Sequence, residues 1–194
     1  MANAPLILAS TSSYRRELLA RLRLPFAVAA PGVDEAAVPH ETPLARAQRL
    51  ALAKARAVAE REPMAAVIGS DQVAVCKGEL LDKPGDAARC HEQLRWLSAA
   101  AATYYTAVAI VQLERSQALQ FLDTTMVYFR PLTEAEITRY IAAEQPFDCA
   151  GGFRSEALGV SLFARVVSED PTGLIGLPLI AVARGLRQLG YELP

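Results

Sequence analysis

The sequence is short of the residues that build metal clusters and disulfide frameworks. It has three cysteines (Cys76, Cys90 and Cys149), scattered and odd in number, and two histidines, His40 and His91, that lie far apart. No CxxC pair occurs, so the pattern speaks against a disulfide scaffold and against a zinc site. It also lacks an excess of positive charge. Twenty Lys+Arg face 21 Asp+Glu for a net charge of −1, so no basic field argues for a polynucleotide partner, and any affinity for phosphate has to be local. No apolar run reaches membrane-spanning length, and the N-terminus has neither the basic flank nor the long apolar core of a signal peptide. No membrane partner is expected, and a reducing, cytoplasmic location is. Internal repeats and low-complexity linkers are absent too. What remains is an ordinary globular composition, 52% hydrophobic and 21% charged over 194 residues. That length suits one domain, or two tightly joined lobes, around a substantial core.

The most informative stretch is Leu6 to Leu19. Leu6–Ala9 is a short apolar run behind Pro5 and reads as a buried strand. It ends in the hydroxyl cluster Ser10-Thr11-Ser12-Ser13. From Tyr14 onward Leu18, Leu19 and Leu22 recur at helical spacing, with Ser12 or Ser13 as N-cap. A strand, a hydroxyl-rich turn and a helix aim backbone N–H groups and the positive helix end at one point, which suits phosphate. Arg15 and Arg16 open that helix. Cations there oppose the helix dipole, so an external anion would relieve them, and a guanidinium grips phosphate oxygens in pairs. The plainer reading leaves both arginines solvating the first turn.

Further along, Pro25–Ala30 make a second short strand, and Asp34-Glu35 come after the Pro31-Gly32 turn. Thr42 caps and Pro43 opens a long helix whose apolar stripe runs Leu44, Ala47, Leu50, Ala51, Ala55 and Val58. Lys54 falls within that stripe. It either snorkels to solvent along its own stem or reaches a charged ligand. Residues 65–75 read as a strand broken at Gly69-Ser70-Asp71-Gln72, a place where backbone can approach a ligand. A Lys77-Gly78 turn then leads to Leu80-Leu81-Asp82-Lys83-Pro84, so Asp71 and Lys83 could face each other across a hairpin-like unit. Asp86 caps a third helix to about Leu97, with Trp96 assigned to the core. Residues 104–113 and 119–130 are two long strands joined by a polar turn. Thr133-x-x-Glu136 is a capping box for a fourth helix that Pro146 ends. Residues 148–156 form a glycine-containing loop with an acidic tip. Residues 158–167 are strand-like, and Leu177-Pro178-Leu179 opens the last helix, which ends near Gly190. The pattern is that of an α/β protein with a largely mixed, twisted sheet.

Ala9-Ser10-Thr11-Ser12 with Arg15-Arg16-Glu17-Leu18-Leu19, then Glu35, the lysine of Leu50-Ala51-x-x-Lys54-Ala55, Gly69-Ser70-Asp71-Gln72, Lys83-Pro84 and Gly176-Leu177-Pro178-Leu179, resemble in order the motifs of the Maf family of nucleoside triphosphate pyrophosphatases. The likeness spans Leu6 to Leu189. It implies a Maf/inosine triphosphate pyrophosphatase-like α/β fold, an elongated two-lobed domain over residues 1–194 with a central cleft. The implied reaction is hydrolysis between the α- and β-phosphates of a nucleoside triphosphate, with a divalent cation, Mg²⁺ or Mn²⁺. On the resemblance Asp71 is the proton acceptor, with metal binding as its other role. Lys54 and Lys83 are catalytic-site lysines, Glu35 is the residue implicated with the metal, and Ser10, Ser12, Arg15 and Arg16 bind phosphate. Tyr14, Gln72 and Glu156, with the Cys149–Phe153 segment, match the YceF-like branch that prefers 7-methyl-GTP. An aromatic face and a carboxylate would favour a cationic methylated base. Alternatives are the branch acting on thymidine and uridine triphosphates, and a nucleotide-sensing regulator of septum formation without turnover. Monomer and homodimer both stay open. The chain departs from the family at Ser13 (usually proline), Asp82 (usually glycine), and at Ala99–Ala102 and Ala107, where glycine is usual.

Overall fold

The computed structural model describes residues 4–194. Its elements are β1 (Leu6–Ala9), α1 (Ser13–Ala20), β2 (Ala27–Ala29), α2 (Pro43–Ala59), β3 (Ala66–Cys76), β4 (Glu79–Leu81), α3 (Ala87–Leu97), β5 (Ala101–Gln112), β6 (Gln117–Phe129), α4 (Glu134–Glu144), β7 (Phe163–Val167) and α5 (Leu179–Gln188). The strands form one seven-stranded sheet in the order β2-β1-β3-β5-β6-β7, with β4 on β3. It is a mixed sheet, as its sequence pattern predicts: β1 is parallel to β2 and β3, whereas β3–β4 and β6–β7 are antiparallel. The chain divides into two compact units. The first takes the chain up to Gln72, then Tyr105–Asp123 and Asp170–Pro194; the second is Val73–Tyr104 and Thr124–Glu169.

In the first unit helices α1 and α2 return the chain between parallel strands, the connection that parallel pairing requires. Leu6 pairs with Ala66 and Ala9 with Gly69 on one side of β1, and Ile7 to Ala9 pair with Ala27 to Ala29 on the other. Side chains alternate along a strand, and this sorts the unit into two layers. Leu6, Leu8, Ala66 and Ile68 join Leu18 and Leu19 of α1 and Leu179, Val182 and Leu186 of α5 in one core cluster. On the opposite face α2 lies against Gly69 so closely that a Cβ there would come 2.3 Å from Ala51 O and 2.5 Å from Ala55 N. Glycine at 69 is therefore a packing requirement. The signals that start α2 act as read: the Thr42 side chain accepts from Ala45 N, and Pro43 occupies the first turn.

The second unit is built on a two-residue hairpin. Cys76 pairs with Glu79 and Ala74 with Leu81, while Lys77 and Gly78 both take positive φ, 51° and 85°. Such a primed turn matches the twist of the flanking strands. Asp86 caps α3 through Arg89 N, and Thr133 and Glu136 form the expected capping box of α4. Phe153 sits at the centre of an edge-to-face aromatic set, its ring 5.7 Å from Tyr104, 5.5 Å from Phe129 and 5.0 Å from Phe163.

Three expectations are corrected. Strand β3 is unbroken through Gly69-Ser70-Asp71-Gln72, because the glycine is a packing contact and not a bulge. Residues 158–162 are a 3₁₀ turn, and only 163–167 are strand. There Gly159 lies against backbone, its Cβ position 2.3 Å from Arg154 O, and Glu144 takes the N–H of Leu158. Trp96 is 45% exposed, not core, with Lys77 Nζ 4.4 Å above its ring. Among the family's glycine positions, Ala99 adopts a left-handed φ of 55°, while Ala107 and Asp82 do not.

Candidate active site

The loops that leave β1 and β2 emerge at the carboxyl ends of parallel strands, where open α/β sheets place their ligands. After β1, Ser10 Oγ accepts from Ser12 N at 3.1 Å, and Ser12 Oγ caps α1 by accepting from Arg15 N at 3.4 Å. After β2, the backbone of the Glu35 loop is tied to α2. Arg46 Nη2 donates to Glu35 O at 3.2 Å and Arg49 Nη2 to Ala36 O at 3.2 Å, while Arg49 also grips Glu41 through two bonds of 2.6 and 2.7 Å. Glu35 is thus delivered by a stitched loop, although its own side chain stays largely exposed.

The centre of the site is Lys54. It is buried, and its Nζ lies 2.7 Å from Asp71 Oδ1 and 2.8 Å from Glu35 Oε1. Lys54 does not snorkel to solvent: its stem packs in the layer and its head ends on two carboxylates of the chain itself. Asp71 extends from β3 two residues past Gly69, and so shares the α2 face by alternation. Burial pushes its carboxyl above the ordinary range, while the Lys54 charge and hydrogen bond and the Arg15 charge pull it back. Nearby Glu35 adds to the upward push. Arg15 is held below its usual value by burial, against the opposing pull of Asp71 and Glu35. Its one side-chain hydrogen bond among the described residues runs from Nε to Gly176 O at 2.9 Å.

A sequence model of the Maf-like protein family matches residues 5–189. The chain belongs to the Maf family. Relatives named 7-methyl-GTP pyrophosphatase are similar to this Maf chain over nearly its whole length. That of Xanthomonas campestris pv. campestris (strain 8004) is 56% identical over 189 residues, 97% of this chain and 98% of that protein. That of Aromatoleum aromaticum is 50% identical over 194 residues and covers both chains in full. Among solved structures, the Ham1 protein of Staphylococcus aureus superposes with a TM-score of 0.52 at 12% identity, over 94% of this chain and 99% of that one, a likeness of fold alone.

The site residues expected from the Maf motifs fall into three groups. Arg15, Glu35, Lys54 and Asp71 come together in the first unit. Ser10 and Ser12 line the turn beside them, Tyr14 is half-buried in the first turn of α1, and Arg16 is exposed. Lys83 and Glu156 belong to the second unit, both exposed, Lys83 just after β4 and Glu156 accepting from Ser155 Oγ at 3.3 Å. Gln72 is placed differently from Asp71. On an unbroken strand the two neighbours point to opposite faces, and Gln72 Nε2 is within reach of Thr106 Oγ1, Gly173 O and Leu174 O at 2.9, 3.1 and 3.0 Å. The sequence pattern gives no role to Ser70, Thr106 and Gly176, which lie on that second face, although Ser70 and Gly176 stand in its motifs. Strand alternation alone would have separated Ser70 and Gln72 from Asp71.

Proposed function

We propose that this Maf protein hydrolyses the α–β phosphoanhydride of a nucleoside triphosphate, releasing a nucleoside monophosphate and pyrophosphate, with 7-methyl-GTP as the preferred substrate. The observation that carries the reading is a buried lysine joined to two carboxylates beside a half-buried arginine with one side-chain hydrogen bond. Arg15 and Lys54 supply positive charge for the triphosphate and for the charge that develops on departing pyrophosphate. Asp71, held by Lys54, accepts the proton of the attacking water as its oxygen bonds to the α-phosphorus and the bond to the β-phosphate oxygen breaks. Its raised affinity for a proton suits that task.

The donor set also fits a divalent cation that arrives with the nucleotide. Among the described residues no group of three or more His, Cys, Asp or Glu could hold a metal. One or two carboxylates are what Mg²⁺ typically takes from a protein, its other positions going to water and substrate phosphates. Glu35 is the residue that would hold it, and Asp71 would join it only in place of its role as proton acceptor. When bound, Mg²⁺ or Mn²⁺ neutralises phosphate oxygens and clamps their geometry.

The base preference is supported by the names of relatives 50–56% identical to this chain. An aromatic side chain such as Tyr14 would favour a cationic methylated purine over neutral GTP. A soluble nucleotide substrate also suits a cytoplasmic place of action, which cell fractionation would check. The test of function is pyrophosphate release from 7-methyl-GTP, GTP, dTTP and UTP with Mg²⁺ present. The expected result is the highest kcat/KM for 7-methyl-GTP. A clear preference for the pyrimidines overturns the base assignment. Tight nucleotide binding without pyrophosphate release would favour the regulator reading.

A further inference from the structure

The Maf motifs as read give Arg15 a place at phosphate and give no role to Ser70 or Gly176, which stand in the same motifs and hold it. Its Nε donates to Gly176 O, and the same carbonyl lies 2.9 Å from Ser70 Oγ. Ser70 is fully buried and its hydroxyl is also 2.9 Å from Ala107 O, so one proton is shared between two carbonyls. The segment carrying Gly176 is fastened at its other end as well. Thr106 Oγ1 donates to Gly173 O at 2.9 Å, Gln72 Nε2 reaches Gly173 O and Leu174 O, and Gly176 N closes a turn on Gly173 O at 2.9 Å. Gly176 takes a φ of +122°, a conformation open to glycine, and a Cβ there would sit 3.5 Å from Arg15 Nε.

We propose that Ser70 and the Gly176 carbonyl form a seat for Arg15, with Thr106 and Gln72 as its fastenings, and that Ser70 is a positioning residue for phosphate binding. A guanidinium has five N–H donors in a rigid plane, and fixing Nε on a carbonyl fixes where the four Nη hydrogens point. Those four make no hydrogen bond among the described residues. They are thus presented in one orientation and, having been ordered before the ligand arrives, lose little freedom on binding it. Both acidic neighbours, Asp71 and Glu35, attract the Arg15 charge. A neutral carbonyl at Nε holds the group without using the charge that phosphate needs. Alternation along β3 explains the division of labour: Asp71 faces the chemistry, while Ser70 and Gln72 on the other face grip the segment behind Arg15.

The inference rests on the hydrolase reading, and its test separates the two. The native chain, Ser70→Ala, Arg15→Ala and the double variant are compared in two assays. One is turnover of 7-methyl-GTP with Mg²⁺, resolving kcat from KM; the other is calorimetric binding of inorganic pyrophosphate. Ser70→Ala is expected to raise KM and weaken pyrophosphate binding by about 10- to 100-fold, the scale of a displaced binding group. In the Arg15→Ala background the same change is expected to alter either quantity by less than about twofold, because the group it seats is gone. Equal losses in both backgrounds, or no loss with Arg15 present, overturn the seat. Should the native chain release no pyrophosphate while the coupling appears in binding, the hydrolase reading fails and the seat stands. If neither turnover nor binding is found, both fall. Should Ser70→Ala not fold, Ser70→Cys keeps a side chain of similar shape with only a weak donor, and the same coupling is read from it.

Discussion

At the residue scale the site turns on one buried cation shared between two carboxylates. Lys54 sits between a buried Asp71 and an exposed Glu35 at 2.7 and 2.8 Å. A neutral amide at position 71 keeps the shape but cannot take a proton. Asp71→Asn is therefore expected to lower kcat by roughly 10²- to 10⁴-fold, the range for a lost general base. KM should not rise, since one negative charge facing the phosphates is removed. Steady-state kinetics checks both, and near-normal turnover would end the assignment. A second residue-scale prediction concerns Ala99, at φ 55°. Left-handed backbone costs an L-residue about 1–2 kcal/mol, whereas glycine adopts it freely but loses more entropy on folding. Ala99→Gly is expected to stabilise the protein by about 0.5–1 kcal/mol in urea titration. Much of this scale was legible from the chain. Lys54 stood out as a cation within an apolar stripe, and Asp71 lay in a motif. Ser70 and Gly176 also lay in motifs, but their contact was not legible, because a serine holding a carbonyl 106 residues away leaves no local pattern.

At the element scale the capping signals were read correctly because they are local: Thr42, Asp86 and Thr133 each bond within their own first turn. The misreadings came from contacts between distant segments. Gly69 suggested a strand break, and tertiary packing explains it instead. Adding a Cβ at 69 would press on backbone atoms of α2, 2.3 Å from Ala51 O and 2.5 Å from Ala55 N, and backbone cannot swing aside as a side chain can. Gly69→Ala is expected to cost about 1–3 kcal/mol or more, as overpacking does, and to reduce activity by displacing Lys54 on the same helix. Denaturation and kinetics of the one variant check both effects. The α4 capping box makes a prediction about acid. Glu136 accepts from Thr133 N and Thr133 Oγ1 and pairs with Arg130, which lowers its pKa from 4.5 to about 2. A lowered carboxylate adds stability above its unfolded value and loses it as pH falls towards the folded one. Glu136→Gln lacks that contribution. The Tm gap between native chain and variant should be full at pH 6 and narrow between pH 4.5 and pH 3, and a gap independent of pH would show that the carboxylate charge plays no part.

At the scale of the whole molecule, a net charge of −1 conceals a cluster in which Arg15 and Lys54 meet Asp71 and Glu35, and the fold bears its cost. The α/β class was legible because amphipathic helices alternate with strands along much of the chain. Which residues of neighbouring strands share a face was not, until the registers Ala9↔Gly69 and Leu6↔Ala66 aligned them. The cost to stability is plainest at Arg15. Burial disfavours its charge, and the Asp71 and Glu35 charges only partly offset this, with one neutral hydrogen bond at Nε. A group placed for a ligand in this way gives little to the ligand-free fold, which is the usual trade between stability and function. Arg15→Ala is expected to leave the Tm of the free protein within about 2 °C of the native chain, or to raise it, a change of under about 1 kcal/mol. Saturating nucleotide reverses the order. A ligand that binds only the folded state adds about 2.7 kcal/mol at a hundred times its Kd. For a chain of this size that is a rise of roughly 5–10 °C. With a non-hydrolysable α,β-methylene nucleotide and Mg²⁺, at a concentration a hundred times the native Kd, the native chain should show this rise in a thermal melt and Arg15→Ala should lose most of it. If Arg15→Ala melted far below the native chain without ligand, the arginine would be a structural cation and its proposed place at the phosphates would have to be given up.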